Sequence, residues 1–305
     1  MKSKLLCIAM LYLLGLPLTA LNNMPQLAQL TGEHNGSGFG YELTSLDFNH
    51  DGYDDLIVLA AFYGYEYQQS PSRGKVYIYY GGPGFSSATE PAMTLEGDYP
   101  VGMQRAISSI VNVGDINGDG FDDLMIGDTN PDDWDDIRYM FYYGGTSDLS
   151  DPDLTLSPQA EESGYRFDRI GDVDGDGYQD MGIAYTLSYI MHYDIIWGGT
   201  GLRQNILAGI GNPSYFGSMI GIGDVNDDGY DDFAIGYLTD DIGGYNTYQR
   251  LYYGTPTRDF TSYLPIIQYH GMATWRCIPL GDLNGDGYDD FFGYATANGM
   301  MIWLG

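Results

Sequence analysis

The chain of 305 residues carries 42 Asp and Glu against 12 Lys and Arg, a formal charge of −30. That balance excludes nucleic acid and anionic membrane surfaces as partners, since both are held through basic patches. The 44 glycines, 29 tyrosines and 44% hydrophobic content exclude a disordered acidic chain and predict short strands joined by tight turns.

Residues 1–20 have the pattern of a signal peptide. Lys2 and Lys4 precede an apolar run over residues 5–16, and Leu18-Thr19-Ala20 offers a small-residue cleavage site. The run, about a dozen residues, is too short to span a bilayer. A secreted, periplasmic or extracellular protein is expected, with residues 21–305 as one domain. Cys7 falls in the leader, so the mature chain holds only Cys277 and no internal disulfide. Cys277 itself reads as a small core residue on a strand.

A nine-residue acidic loop recurs five times, starting at Asp47, Asp115, Asp172, Asp224 and Asp282. Oxygen side chains occupy positions 1, 3, 5 and 9, and glycine occupies position 6. Alternate positions of such a turn can wrap a hard cation, and calcium takes six to eight oxygens. The expected ligands are those four side chains and the carbonyl of position 7. In the first loop they are Asp47, Asn49, Asp51, Asp55 and Tyr53. The second offers Asp115, Asn117, Asp119, Asp123 and Phe121, and the third Asp172, Asp174, Asp176, Asp180 and Tyr178. The fourth offers Asp224, Asn226, Asp228, Asp232 and Tyr230, and the fifth Asp282, Asn284, Asp286, Asp290 and Tyr288. Up to five Ca2+ ions, in a structural role, are expected. An EF-hand needs glutamate at position 12, which here is Val58, Ile126, Ile183, Ile235 or Gly293. Magnesium is disfavoured because it gives up its waters reluctantly. The bland alternative is five acidic turns without metal. The aromatic side chains at position 7 are expected to pack between repeats.

Each loop stands between two short apolar runs. Those before it include residues 43–46, 107–113 and 219–222. Those after it are residues 56–59, 124–127, 181–184, 233–236 and 291–294. A third run rich in aromatics follows in each unit, ending in glycine at Gly82, Gly145, Gly199, Gly254 and Gly305. A fourth covers residues 91–96, 152–156, 204–208 and 262–268, and the last unit lacks it. Four strands, here A to D, repeated every 50–70 residues or so describe propeller blades. The fold class is all-β: a five-bladed β-propeller of four-stranded antiparallel blades. The orphan segment at residues 25–31 is expected to complete the last blade and close the ring. A fragment of a larger, seven-bladed ring is the alternative.

This pattern resembles the FG-GAP repeats of integrin α-subunit propellers. The matching residues are Phe39-Gly40, Phe216-Gly217, the five acidic loops and aromatic strands such as Val76-Tyr77-Ile78-Tyr79-Tyr80. The Phe-Gly pair is absent from units 2, 3 and 5, and no unit has Gly-Ala-Pro. The resemblance implies an adhesion or ligand-binding module with A–B loops on one face and B–C loops, where ligands sit, on the other. Aromatics in the B–C segments, Tyr63, Tyr65, Tyr67, Trp134, Tyr245 and Tyr248, are the candidate contacts for a protein or carbohydrate partner. Neither a Gly-x-Ser-x-Gly elbow nor a metal-ligand spacing of His34, His50, His192 and His270 supports catalysis, so the chain is expected not to be an enzyme. The alternative is a secreted glycosidase or lyase with acidic residues near a central channel.

Overall fold

The apolar runs form strands because their residues are β-branched or aromatic and the intervening glycines and aspartates break the pairing. The computed structural model describes residues 28–64, 72–97, 106–130, 133–157, 162–187, 190–201, 203–208, 217–241, 244–270, 277–296 and 299–305. Within them are five antiparallel sheets and no helix. The first sheet holds β1 (Phe39–Leu46), β2 (Asp55–Ala60), β3 (Lys75–Tyr79) and β4 (Met93–Glu96). The second holds β5 (Ala106–Gly114), β6 (Asp123–Asn130), β7 (Asp133–Tyr142) and β8 (Leu154–Leu156). The third holds β9 (Glu162–Gly171), β10 (Asp180–Leu187), β11 (Ile190–Ile196) and β12 (Arg203–Ala208). The fourth holds β13 (Gly217–Gly223), β14 (Asp232–Asp241), β15 (Gly244–Tyr252) and β16 (Leu264–His270). The fifth has three strands, β17 (Ile278–Gly281), β18 (Asp290–Thr296) and β19 (Gly299–Trp303). Each sheet pairs its strands in chain order, an architecture consistent with a β-propeller.

The core lies between consecutive sheets. Ile57 and Leu59 face Leu124 and Ile126 of the second sheet, whose neighbouring residues Met125 and Phe141 face Met181 and Ile183 of the third. Tyr193 and Ile195 then meet Phe233 and Ile235, and Ala234 and Leu251 meet Cys277 and Phe291. Strands B and C of the first four sheets are therefore covered on both faces, which is why they read as unbroken apolar runs. The outer strand β4 alternates half-buried with exposed instead. Cys277 is buried as expected, and burial pushes its thiol up to about 12.

Two expectations are corrected. The described part of residues 25–31 has no strand pairing. Gln29 donates its N–H to Ser87 Oγ at 2.7 Å, and Leu30 packs on Val58, Ala60, Tyr77 and Tyr79. The segment thus covers the face of the first sheet that no preceding sheet protects, rather than extending the fifth; residues 25–27 lie outside the described residues. The fifth sheet leaves Ile278, Met301 and Ile302 about half exposed. The B–C connections also differ. Strand pairing runs to Asn130–Asp133, Leu187–Ile190, Asp241–Gly244 and Thr296–Gly299, leaving two residues between strands in sheets two to five. Among the described strands, only β2 and β3 are separated by a long B–C connection.

Candidate metal centres

All five acidic loops join an A strand to a B strand, so an antiparallel hairpin fixes both ends of each. In the first, Asp47 Oδ1 accepts the N–H of Asp51 at 3.0 Å and its Oδ2 that of Gly52 at 2.9 Å. Asn49 Oδ1 also accepts from Asp51 at 3.1 Å, and Asp51 Oδ1 accepts from Tyr53 at 3.0 Å. The other four loops repeat all of these bonds. Short side chains bonding to N–H groups a few residues on hold a turn in one shape before any ion arrives. In the third loop Asp172, Asp174 and Asp176 each bring an oxygen within 4.8 Å of the others. The donors at positions 1, 3 and 5 are oxygens throughout, a hard set that fits calcium.

Backbone conformation explains two of the loop's glycines. Position 6 has φ between 86° and 100° in all copies, the left-handed region that glycine enters without cost. Position 4 is left-handed too, at 55° to 79°, but His50 and Asp227 stand there in the first and fourth loops. That requirement went unread in the sequence, where position 4 looks variable.

Position 9 is the deepest part of each site. Asp55, Asp123, Asp180, Asp232 and Asp290 are fully buried. In the second loop Asp123 Oδ2 accepts the N–H of Ile116 at 2.9 Å and Oδ1 that of Gly144 at 2.8 Å. The same pair of bonds recurs in the other four sheets. Position 9 therefore ties the loop's start to the glycine turn after strand C, a role its spacing alone did not reveal. Burial pushes Asp123, Asp180 and Asp232 up to about 7, against the pull of those N–H groups, and carboxylates at positions 1, 3 and 5 add to the rise.

In the second, third and fourth loops the ring at position 7 packs against the preceding repeat, as expected, whereas Tyr53 of the first is about half exposed. Phe121 lies 4.8 Å from the His50 ring of the preceding loop. Tyr178 covers Gly118 and Tyr230 covers Gly175, so closely that a Cβ on either glycine would fall within 2.4 Å of the ring. Backbone bonds run the same way. Gln179, Asp231 and Asp289 at position 8 donate their N–H to the carbonyls of Asp115, Asp172 and Asp224 one loop back. Gly145, Gly199 and Thr255 donate to Phe48, Ile116 and Val173. Asp231 adds its carboxylate, accepting the Asp172 N–H at 2.8 Å. Every loop from the first to the fourth is thus held by the sheet that follows it.

Of the six aromatics expected on the opposite face, only Tyr63 and Tyr248 have side chains among the described residues. Tyr65 and Tyr67 lie outside the described residues. Trp134 and Tyr245 fall within strands β7 and β15 rather than in loops. Tyr248 stacks on Tyr237 at 5.1 Å and packs against the core between sheets three and four. Tyr63 belongs to a cluster at the B–C end of the first sheet, where its hydroxyl donates to Glu33 at 3.0 Å and Lys75 Nζ sits 4.7 Å over its ring. Lys75 is buried, which would pull it down. Its bonds to Glu33 at 2.7 Å and Glu96 at 3.2 Å outweigh this, so the ammonium is held above its ordinary range.

The family of FG-GAP-like repeats matches residues 47–126. Integrin alpha-7 of Homo sapiens is 32% identical over 156 residues, which is 50% of this chain and 12% of that protein. Integrin alpha-4 of Xenopus laevis is 32% identical over 171 residues, 53% of this chain and 16% of that one. The chain thus spans less than a fifth of the length of these relatives. Among solved structures, the rhamnogalacturonan lyase of Bacillus licheniformis aligns with a TM-score of 0.45 at 10% identity, over 92% of this chain and 59% of its own. An exotype rhamnogalacturonan lyase aligns at 0.42 and 12% identity, over 86% and 55%. The expectation that the chain is not an enzyme is corrected by these matches, because proteins titled as lyases align over most of its length. The exclusion is withdrawn, and alignments this loose carry no argument for lyase chemistry here.

Proposed function

We propose that this FG-GAP repeat protein is an exported β-propeller whose A–B loops bind calcium and whose B–C face presents a surface to a protein or carbohydrate ligand. Each sheet is one blade, five in this chain; residues 1–20 are the signal peptide and residues 21–305 the propeller domain. One observation carries the calcium reading: five loops repeat one set of hydrogen bonds that draws in a side-chain oxygen from each of positions 1, 3 and 5. Position 1, 3, 5 and 9 side chains and the position 7 carbonyl would hold each ion. Bound calcium supplies positive charge to carboxylates that otherwise repel one another in a nine-residue turn. Export fits, because free calcium outside the cytoplasm is high enough to fill moderate sites. The ligand-binding part rests on similarity to integrin alpha repeats.

Calorimetric titration of the chelator-treated protein should give several calcium ions per chain, and calcium should raise the melting temperature by many degrees through mass action on the native state. An identical melt in calcium and in chelator would sink the reading. For the ligand, a glycan array followed by analysis of the applied sugars separates binding from cleavage.

A further inference from the structure

One loop breaks the pattern of the other four. Asn49, Asn117, Asn226 and Asn284 occupy position 3 elsewhere, and each donates its Nδ2 to the position 5 carboxylate, at 3.1, 2.9, 2.9 and 2.7 Å. The third loop has Asp174 there. Its Oδ1 keeps the amide oxygen's role, accepting the Asp176 N–H at 3.1 Å. Its Oδ2 stands in for an amide nitrogen but has no proton to give, and the substitution raises the carboxylates at positions 1, 3, 5 and 9 from three to four.

Arg258 supplies both missing quantities from the fourth sheet. Its guanidinium pairs with Asp174 Oδ2, and its Nη2 donates to Asp176 Oδ2 at 3.1 Å, the acceptor that asparagine serves in the other loops. The arginine is built into its place. It lies 4.3 Å over the Trp197 ring, and its carbonyl accepts Gln204 Nε2 at 3.0 Å. Gln204 Oε1 in turn accepts the Trp197 Nε1–H at 3.1 Å. The Arg258 backbone is left-handed, at φ 55°, unusual for a residue with a Cβ, and its turn is moored to the third loop by the bond from Thr255 to Val173 at 2.7 Å. Counted over positions 1, 3, 5 and 9, one positive charge thus offsets the one extra negative charge, and the net charge at those positions matches that of the other four loops.

We propose that Arg258 is a positioning and charge-matching residue of the third calcium site, making cation binding there a joint property of the third and fourth sheets. This rests on the calcium reading above. Because Oδ2 alone faces the guanidinium, Asp174 Oδ1, which accepts the Asp176 N–H, keeps a second lone pair to serve the ion.

The test is a double-mutant cycle read by melting in calcium and in chelator. Arg258→Gln should lower the melting temperature in chelator by roughly 2–4 °C, as four carboxylates lose their counter-charge. It should lower it less in calcium, so the increment that calcium produces grows. Adding Asp174→Asn should restore the loop to the common pattern, recover most of the loss and return the increment to the parent's. The double variant also keeps the test alive if Arg258→Gln alone does not fold, since it should fold and bind as many calcium ions as the parent by calorimetry. Equal losses in calcium and chelator would reduce Arg258 to an ordinary salt bridge and overturn the proposal. So would purely additive effects of the two substitutions. A parent melt that ignores calcium would instead remove the calcium reading beneath it, while the cycle in chelator would still report the arginine–aspartate pair.

Discussion

At position 4 of the loops the backbone is left-handed in all five copies, yet only three copies carry glycine. A residue with a Cβ there costs about 1–2 kcal/mol, and Asp tolerates it better than most. Asp227→Gly is therefore expected to raise the urea midpoint, by up to about 1 kcal/mol in free energy. Gly175→Ala should do the reverse, and more strongly. Its Cβ would meet both a forbidden φ of 73° and the Tyr230 ring at 2.4 Å, a combined cost of roughly 2–4 kcal/mol. If the two substitutions shift the midpoint alike, the account of this position is wrong. The loop residues themselves were legible from spacing, because the oxygens and the position 6 glycine follow from local turn chemistry. Position 4 was not, since its constraint comes partly from a ring on the next repeat. Arg258 was invisible for the same reason, being 84 residues from Asp174.

Among the elements, the A–B hairpin carries the pH response. Asp123, Asp180 and Asp232 sit at about 7 in the folded, metal-free protein, well above their usual carboxylate range. The folded state then holds protons that the unfolded state has already released between about pH 4 and 7. Stability in chelator is greatest at the acid end of that window and is lost as pH rises through it. The melting temperature in chelator should therefore climb on going from pH 8 to pH 5. Over the same range the increment from calcium should shrink, because protons compete for the ligands. A metal-free melt that falls steadily on acidification would contradict the burial argument. Strands A to D were readable because two-sided burial makes B and C continuously apolar. The B–C connections were misread because stretches such as Asp132-Asp133-Trp134 look like solvated loop, whereas β7 begins at Asp133, paired with Asn130, and includes Trp134. Repeat spacing also cannot say which sheet an orphan apolar segment covers, and residues 28–31 went to the first sheet rather than the fifth.

Over the whole molecule the charge of −30 is the dominant long-range force. Self-repulsion of that size weakens a compact state, and salt screens it. Raising NaCl from about 0.01 to 0.15 M shortens the screening length from roughly 30 to 8 Å. The metal-free protein should gain more melting temperature from this than the calcium-loaded one, whose charge the ions have already reduced; equal gains would mean that repulsion among the loops is not what calcium relieves. The stack of sheets has a direction as well. Loops one to three each receive a backbone N–H from a residue about 80–100 positions later, at Gly145, Gly199 and Thr255. A ribosome delivers the chain from its N-terminus at about 5–20 residues per second. An acidic loop therefore emerges several seconds before the strand that braces it. Once the first loop is made, the growing chain carries at least one unbraced loop near its growing end, and each new sheet completes the site of the one before.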